Sequence, residues 1–504
     1  MLIDSSTINK TKASLINVAF NYGATFILII NSILLVPFYL HYMDFSDYGA
    51  WLAAIAVVNI IMILDPGISS VSSQHLSKSF NDNSDQNFHK YFLSTLLTAI
   101  CFFFLVVLIG LPASSYVTSI INYEESSRLI ELQQALKFYV IGISLGALSS
   151  VLSSFLQALL KTFVDNTINF ICILSSPFVI VLCLINDLGI ISLALGILVP
   201  NLLRIIIFSI AVIILWSRYI QFNFFNIGNV DIFLLFKDVK FLYLRRFSSI
   251  TSENIETAVA GIFFTTEIAA FISIIKRLFI SIQMFSTGIS ISTYTSLSHV
   301  FAENNQDKLR TAVGKTIYSF QLVHLIGSSL ILASAGPLIF VWLGENLIFN
   351  FSFIFLMSVN IFLLAKVNIL NSILYTSGDY SSVAYISIFE ALIRIALTYL
   401  FIASFSLYGL PLAGILASVL AVVYLIKLIR LQTGHTILDL IYPGSLYELS
   451  IYTLACIIGF YHSVGEDRLT EALSILLVTS VLLFAVTFSR KARELGNTIY
   501  RTLR

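Results

Sequence analysis

The chain has 504 residues, of which 58% are hydrophobic and only 11% carry a charge, and its formal net charge is +1. Ordinary soluble domains carry about 25% charged residues, so too little polar surface is present to cover a water-soluble globule of this size. The near-neutral net charge also offers no basic surface for nucleic acid. Composition therefore predicts a membrane protein without a nucleic-acid partner.

Apolar stretches long enough to cross a bilayer, which takes about 20 residues, follow one another along the sequence. We predict an all-α integral membrane protein with about fourteen transmembrane helices. The predicted spans lie near residues 14–40, 47–72, 91–112, 137–160, 167–186, 189–216, 242–264, 268–296, 314–341, 350–376, 383–405, 409–431, 447–463 and 469–489. Span seven is polar and the last two spans are short, so the pattern is weakest in these three.

The basic residues outside the spans predict the orientation. With the N-terminus inside, the inner segments hold 20 lysines and arginines, and the outer segments hold 3, which are Arg128, Lys137 and Arg468. Membrane proteins carry an excess of basic residues on the cytoplasmic side, and a wrong number of helices would scramble this alternation. Both termini of this multi-pass protein are therefore predicted to be cytoplasmic.

Two similar segments lie far apart in the chain. GISSVSSQHLSKSFNDN begins at Gly67, GISISTYTSLSHVFAEN begins at Gly288, and they match at 7 of 17 positions without a gap, at an offset of 221 residues. One closes span two and the other closes span eight, so both cross the membrane in the same direction. This indicates a parallel repeat of two six-helix bundles, as transporters commonly have; a bias toward Ser, Ile and Leu is the alternative explanation. The predicted domains are 1–220, 221–435 and 436–504, the last holding two extra helices and a cytoplasmic tail.

Nine charged residues lie inside predicted spans. A charge at the bilayer centre costs about 2.5–3.5 kcal/mol on insertion scales, so nine of them predict a solvated or paired interior, and we expect a polar cavity between the two bundles. They are Arg204, Lys276, Arg277, Lys366 and Arg394, with the acids Asp65, Glu253, Glu256 and Glu390.

Helical spacing sorts these charges into candidate roles. In span seven, Arg246, Glu253 and Glu256 share one polar stripe with Ser249. The alternative is hydrogen bonding between helices without a cavity. Glu390 and Arg394, four residues apart with the acid first, predict a structural ion pair, with direct substrate contact as the alternative. Asp65 precedes Pro66, which fits a hinge with a proton or sodium site, or a helix-end cap. The substrate-binding candidates are Lys276, Arg277, Arg204, Arg245, Arg246 and Lys366, and the ion-coupling candidates are Asp65, Glu253 and Glu256.

Several signatures of enzymes are absent from the sequence. We find no glycine-rich phosphate loop, no HExxH and no Cys/His cluster, and the four cysteines lie singly in apolar runs. We therefore predict no catalytic residue, no metal site and no cofactor, and a transporter rather than an enzyme. The longest outer loop, about 113–136, is short for a membrane polymerase or glycosyltransferase.

Residues 34–70, LLVPFYLHYMDFSDYGAWLAAIAVVNIIMILDPGISS, resemble the opening of polysaccharide exporters of the multidrug/oligosaccharidyl-lipid/polysaccharide (MOP) superfamily, and are most similar to O-antigen flippases of the Wzx type. The shared pattern is a proline ending the first span, a Tyr-Gly pair, and a long second span closing in Asp-x-Gly, which here are Pro37, Tyr48, Gly49, Asp65 and Gly67. The two-bundle layout, the length and the charge pattern extend the resemblance over most of the chain. Members usually have twelve spans, and relatives such as lipid II flippases have fourteen.

The resemblance implies a flippase of the bacterial inner membrane that carries an undecaprenyl-diphosphate-linked O-antigen or related polysaccharide repeat unit from the cytoplasmic to the periplasmic leaflet by alternating access. It implies a lipid-linked oligosaccharide substrate, H⁺ or Na⁺ as coupling ion, and contact with membrane lipids. A polysaccharide polymerase and a chain-length regulator are the implied protein partners. The main alternative is a multidrug/cation antiporter of the same superfamily, and an O-antigen polymerase is a further one.

Overall fold

The computed structural model describes residues 33–62, 67–82, 85–123, 128–219, 236–302, 305–335 and 351–434, with the short pieces 23, 26–28, 338–339 and 457–458. Within these residues all regular structure is helical, and α1 covers residues 33–42. The helices that follow are α2 (Phe45–Met62), α3 (Ile68–Asn81), α4 (Asp85–Ile120), α5 (Leu129–Ala158), α6 (Thr162–Ile185), α7 (Ile191–Tyr219), α8 (Phe236–Phe263), α9 (Thr266–Ala302), α10 (Gln306–Ala333), α11 (Phe351–Thr376), α12 (Tyr380–Phe405) and α13 (Gly409–Thr433).

The helices fall where apolar runs predicted membrane spans. Helices α2 and α3 together cover span two, and α4 to α13 coincide in order with spans three to twelve. Eight helical segments of the described chain are long and apolar enough to cross a membrane. The all-helical prediction is confirmed, and spans thirteen and fourteen lie outside the described residues except for 457–458.

The chain forms two compact units, residues 1–271 and 272–504. In the first unit α5 packs along α7, α6 packs along α7, and α2 packs along α8. In the second unit α13 packs on both α11 and α12. Helix α8, the seventh predicted span, thus lies in the first unit. The two units are defined by contacts within the structure, whereas the predicted domains were defined by the sequence repeat. The domain boundaries at 220 and 435 therefore stay a prediction.

Two glycines allow α5 and α7 to approach closely. A Cβ added at Gly142 would lie 2.9 Å from Cα of Leu198, and one at Gly146 would lie 3.1 Å from Oδ1 of Asn201. Inside a bilayer no hydrophobic effect drives helices together, so small residues four apart stabilise the pair by close van der Waals contact. The spacing of Gly142 and Gly146 therefore fixes how α5 and α7 are placed around the site described below.

We expect Gly142→Ala to destabilise the protein by about 1–3 kcal/mol, because the added methyl meets the backbone of α7, which cannot move aside as a side chain can. The measurement is the apparent free energy of unfolding in detergent. Gly23→Ala, where an added methyl meets no atom within 4 Å, is the control. Equal stability of the two variants would contradict the close packing.

The segment LDPGIS contains a helix break. Helix α2 ends at Met62 and α3 begins at Ile68, and Gly67 at the start of α3 has a left-handed backbone with φ 77°. Only glycine adopts this conformation without strain. Asp65 and Pro66 lie outside the described residues. The second copy of the repeated segment differs, since Gly288 lies inside the continuous helix α9.

Candidate functional site

A polar cavity of about 480 Å³ lies within the first unit. We call it the first-unit cavity. Four helices surround it: α2, α5, α7 and α8. Its lining residues are Asn59, Ile143, Gly146, Ala147, Ser150, Asn201, Arg204, Arg246, Ile250, Glu253 and Asn254. Among the described lining residues, two arginines, one glutamate, three asparagines and a serine thus converge on a space between four helices, of which α5 and α7 are long and apolar enough to cross a membrane.

Arg204 is the partly buried basic group of this cavity. It lies at mid-length of α7, and its Nη1 donates to Oδ1 of Asn201, one helical turn earlier, at 3.3 Å. Its Nε is buried and makes no hydrogen bond in the structure. A buried guanidinium N–H without an acceptor is costly, and an anionic ligand would supply that acceptor.

Helix α8 supplies the second arginine and the acid. Arg246, Ile250, Glu253 and Asn254 recur at helical spacing and line the cavity together, because positions three and four apart share one face. The hydroxyl of Ser249 donates to Oε1 of Glu253 at 3.0 Å. Two members of the predicted polar stripe, Arg246 and Glu253, therefore line the first-unit cavity.

The asparagines were not predicted from the sequence. Oδ1 of Asn59 accepts a 2.7 Å hydrogen bond from the hydroxyl of Tyr139, and Nδ2 of Asn201 donates to the carbonyl of Ile197 at 3.0 Å. These bonds orient both amides. The spacing of three residues between Asn201 and Arg204 is a signal in the sequence that could have predicted their contact. No such signal joins Asn59 to Tyr139, which are 80 residues apart and are brought together by the fold.

The remaining basic candidates lie elsewhere. Arg245 is half-buried on α8. Lys276 and Arg277 are on the part of α9 that belongs to the second unit, where Lys276 is only 6% exposed and Arg277 is half-buried. Lys366 is buried in α11 of the same unit. Burial of lysines in spans indicates that they do not face the acyl chains.

The acidic candidates have separate environments. Glu253 lines the first-unit cavity, whereas Glu256, one turn further along α8, is buried at 2% exposure. Asp65 lies outside the described residues. A further buried acid, Asp165 at the start of α6, was not predicted: it accepts hydrogen bonds from Ser153 at 2.6 Å and from Gln157 at 3.0 Å.

Glu390 and Arg394 form an ion pair inside the second unit. Oε1 of Glu390 lies 2.8 Å from Nη2 and 2.9 Å from Nε of Arg394. The guanidinium also donates to Oδ1 of Asn360 on α11 at 3.1 Å and to Oγ of Ser418 on α13 at 2.7 Å. Arg394 is fully buried. The pair thus links α11, α12 and α13.

A glycine makes room for this ion pair. A Cβ added at Gly414 of α13 would lie 2.4 Å from Nη1 of Arg394 and 2.2 Å from Oδ1 of Asn360. The guanidinium is therefore enclosed on this side by the backbone of α13. Such enclosure fits a structural charge pair held by protein groups.

Among the described residues, no group of three or more His, Cys, Asp or Glu side chains could hold a metal ion.

Solved structures of three transporters share this fold. An inward-facing multidrug resistance MATE family transporter of the MOP superfamily gives a TM-score of 0.61 at 13% identity, covering 79% of this chain and 96% of that one. The lipid II flippase MurJ, in an inward closed conformation, gives a TM-score of 0.63 at 15% identity. The alignment covers 97% of this chain and 99% of that one. A MOP superfamily transporter from Pyrococcus furiosus, with a binding pocket of reverse polarity, gives a TM-score of 0.57 at 13% identity. The alignment covers 84% of this chain and 95% of that one.

These similarities define the class of protein. The chain is a multi-pass α-helical membrane protein. Its fold is that of the MOP superfamily transporters, which include MATE proteins and the lipid II flippase MurJ. No protein-family model and no curated protein sequence matches the chain, so the likeness is one of structure at low identity.

Proposed function

We propose that the protein is a flippase that moves an undecaprenyl-diphosphate-linked oligosaccharide, an O-antigen or related polysaccharide repeat unit, from the cytoplasmic to the periplasmic leaflet of the bacterial inner membrane. The diphosphate headgroup binds in the first-unit cavity. The sugars occupy aqueous space and the polyprenyl tail stays in lipid.

The observation that carries this proposal is that Arg204 and Arg246 line one cavity, between helices of which α5 and α7 are long and apolar enough to cross a membrane. A diphosphate is anionic, and arginine binds phosphate oxygens through parallel N–H donors. The bare Nε of Arg204 is a donor of this kind. Asparagine amides around the arginines add neutral donors without cancelling the positive charge.

The multidrug/cation antiporter is the second candidate, because MATE transporters share the fold and Glu253 lines the cavity. A site for cations requires an excess of acids. The described lining residues of the first-unit cavity instead include two arginines and one glutamate, so their charge favours an anion. The O-antigen polymerase alternative finds no support in a transporter fold.

Alternating access requires contacts that close one end of the molecule. At the predicted outer ends of α2 and α8, a Cβ at Gly261 would lie 2.2 Å from Cβ of Ala53, and one at Gly49 would lie 1.8 Å from the carbonyl oxygen of Thr266. Oγ of Ser46 lies 2.9 Å from Oγ1 of Thr266. In our proposal these contacts within the first unit part during alternating access, and among the described residues their separation breaks no ion pair between α2 and α8.

The membrane potential favours the proposed direction. The cell interior is negative, so outward movement of an anionic headgroup is assisted by about 2.3 kcal/mol per charge per 100 mV. Proton or sodium antiport through Asp65, Glu253 or Glu256 adds to this driving force in our proposal. Of these, Glu253 lies beside the arginines of the first-unit cavity.

A deletion strain tests the proposal against its alternative. We expect loss of the gene to abolish surface polysaccharide, with lipid-linked repeat units accumulating on the cytoplasmic side, while resistance to cationic drugs stays unchanged. Unchanged polysaccharide together with increased drug sensitivity would favour the antiporter. Export of single repeat units without long chains would favour a polymerase.

We further expect Lys276→Gln/Arg277→Gln to abolish polysaccharide export while the protein remains in the membrane. Neither residue lines the first-unit cavity, so in our proposal they add a longer-range attraction for an anionic substrate, which their loss removes. The readout is surface polysaccharide in the complemented deletion strain, with protein quantified in membranes. Normal polysaccharide at normal protein amount would show that neither residue contributes to export.

A further inference from the structure

A second, larger cavity lies at one end of the second unit. Its volume is about 730 Å³, and we call it the end pocket. It is formed where α9, α11 and α13 end and α10 and α12 begin, the side that the basic residues predict to be cytoplasmic. Its lining residues are Ser298, Phe301, Gln306, Leu309, Tyr375, Thr376, Ser377, Gly378, Tyr380 and Gln432.

The end pocket is polar, and none of its lining residues within the described part of the chain is charged. Its groups are hydroxyls, amides and phenol rings. The rings of Tyr375 and Tyr380 lie 5.2 Å apart between centroids. The hydroxyls of Thr376 and Ser377 donate to the carbonyls of Ile373 and Leu374, at 2.6 Å and 2.8 Å, so their oxygens remain acceptors.

One buried acceptor in the end pocket has no donor. The side-chain oxygen Oε1 of Gln432, in the last turn of α13, is buried and makes no hydrogen bond in the structure. A buried carbonyl oxygen without a donor is unfavourable. A ligand with O–H or N–H donors would satisfy it, whereas a phosphate would add only further acceptors.

The corresponding end of the first unit is filled with aromatic side chains. Leu76, Phe88, Phe92, Phe155 and Trp216 belong to one buried cluster there, with ring centroids of Phe92 and Phe155 4.9 Å apart and those of Phe155 and Trp216 5.5 Å apart. This end of the first unit is therefore packed.

The 221-residue offset of the two similar segments, carried along the chain, allows the two ends to be compared position by position. It places Leu309 at the position of Phe88 and Thr376 at the position of Phe155. Trp216 corresponds at this offset to Ile437, which lies outside the described residues. At two positions, therefore, the second unit carries a smaller side chain where the first unit carries an aromatic ring.

We infer that the end pocket is a saccharide-binding site, which takes the uncharged sugar part of the substrate. This inference rests on the proposed function. Aromatic rings pack against the apolar faces of sugars, and amide and hydroxyl groups pair with their hydroxyls. None of the described lining residues is a cation that would draw the diphosphate into the end pocket, so its chemistry suits the sugars rather than the headgroup.

The test introduces larger side chains into the end pocket, in imitation of the packed cluster at the corresponding end of the first unit. Leu309→Phe/Ser377→Leu places bulk in the end pocket, and Gln432→Leu removes the unpaired acceptor with little change of volume. The control is Leu431→Phe, on the same helix but exposed. The full-length protein in nanodiscs is presented with lipid-linked oligosaccharide extracted from the source cells, and separately with undecaprenyl diphosphate, and binding is followed by native mass spectrometry.

We expect the filled variant and Gln432→Leu to weaken binding of the oligosaccharide lipid about tenfold or more, while binding of undecaprenyl diphosphate and the thermal midpoint stay at the level of the control. Equal binding of the oligosaccharide lipid by control and variants would overturn the saccharide site and leave the flippase standing. Equal loss for both lipids would likewise overturn it. Failure of the wild-type protein to bind either lipid would instead overturn the proposed function.

Discussion

Replacing Arg204 and Arg246 together by glutamine is expected to lower translocation of lipid-linked oligosaccharide at least about a hundredfold. Hydrogen bonds to charged groups contribute about 1.5–3 kcal/mol each, and 1.4 kcal/mol corresponds to a factor of about ten. Losing one such bond from each of the two arginines therefore lowers the rate by at least about a hundredfold. The measurement is the initial rate of substrate movement between leaflets of proteoliposomes that contain the purified variant.

The control for this prediction removes the same charge elsewhere. Lys427 and Arg430 are exposed on α13, so Lys427→Gln/Arg430→Gln changes net charge equally without touching the first-unit cavity. Arg204→Lys/Arg246→Lys keeps the charge but loses the paired donors, and its rate should lie between wild type and the glutamine variant. A glutamine variant as fast as the control would mean that the arginines do not bind the substrate.

Arg394→Leu is expected to destabilise the protein by about 3–5 kcal/mol, because it leaves Glu390 buried without its partner. The loss also frees Asn360 and Ser418, which both accept hydrogen bonds from the guanidinium. The measurement is the apparent free energy of unfolding in detergent or nanodiscs. Arg430→Leu, which removes an exposed arginine, should change it by less than about 0.5 kcal/mol.

A second variant separates a structural role from a substrate contact. Glu390→Leu/Arg394→Leu removes both charges, and replacing a whole buried pair by apolar residues is often neutral, so this double variant should regain much of the stability that Arg394→Leu loses. It should also retain translocation. A double variant that folds as the wild type but does not transport would show that the pair contacts the substrate.

The positions of the helices could be predicted because each membrane span needs a long apolar run. Even the polar span seven, which had the weakest pattern within the repeat, is present as Phe236–Phe263. Pro66 indicated a kink or a helix-end cap in span two, and Gly67 next to it has a left-handed backbone where α3 begins. The packing of α8 beside α2 within the first unit was not predicted, since it depends on Gly49 and Gly261, whose neighbours are distant in sequence.

The candidate site could be predicted only in part. Charges in spans are rare, so Arg204 and Glu253 were conspicuous, and helical spacing joined Glu253 to Arg246. The asparagines were missed because amides in membrane helices often only join helices. Asp165 was missed because it stands at the edge of a charge-free run, and only the fold brings Ser153 and Gln157 to it.

The measurement that tests the central claim most directly is protection of the first-unit cavity by substrate. In a protein without its native cysteines, Ser150→Cys places a thiol on the lining, and Lys427→Cys places one on the exposed face of α13. We predict that lipid-linked oligosaccharide slows labelling at position 150 by a water-soluble thiol reagent and leaves position 427 unaffected, and that a cationic drug protects neither. Labelling at position 150 that is unchanged by the lipid, or slowed only by the drug, would contradict a diphosphate site between Arg204 and Arg246.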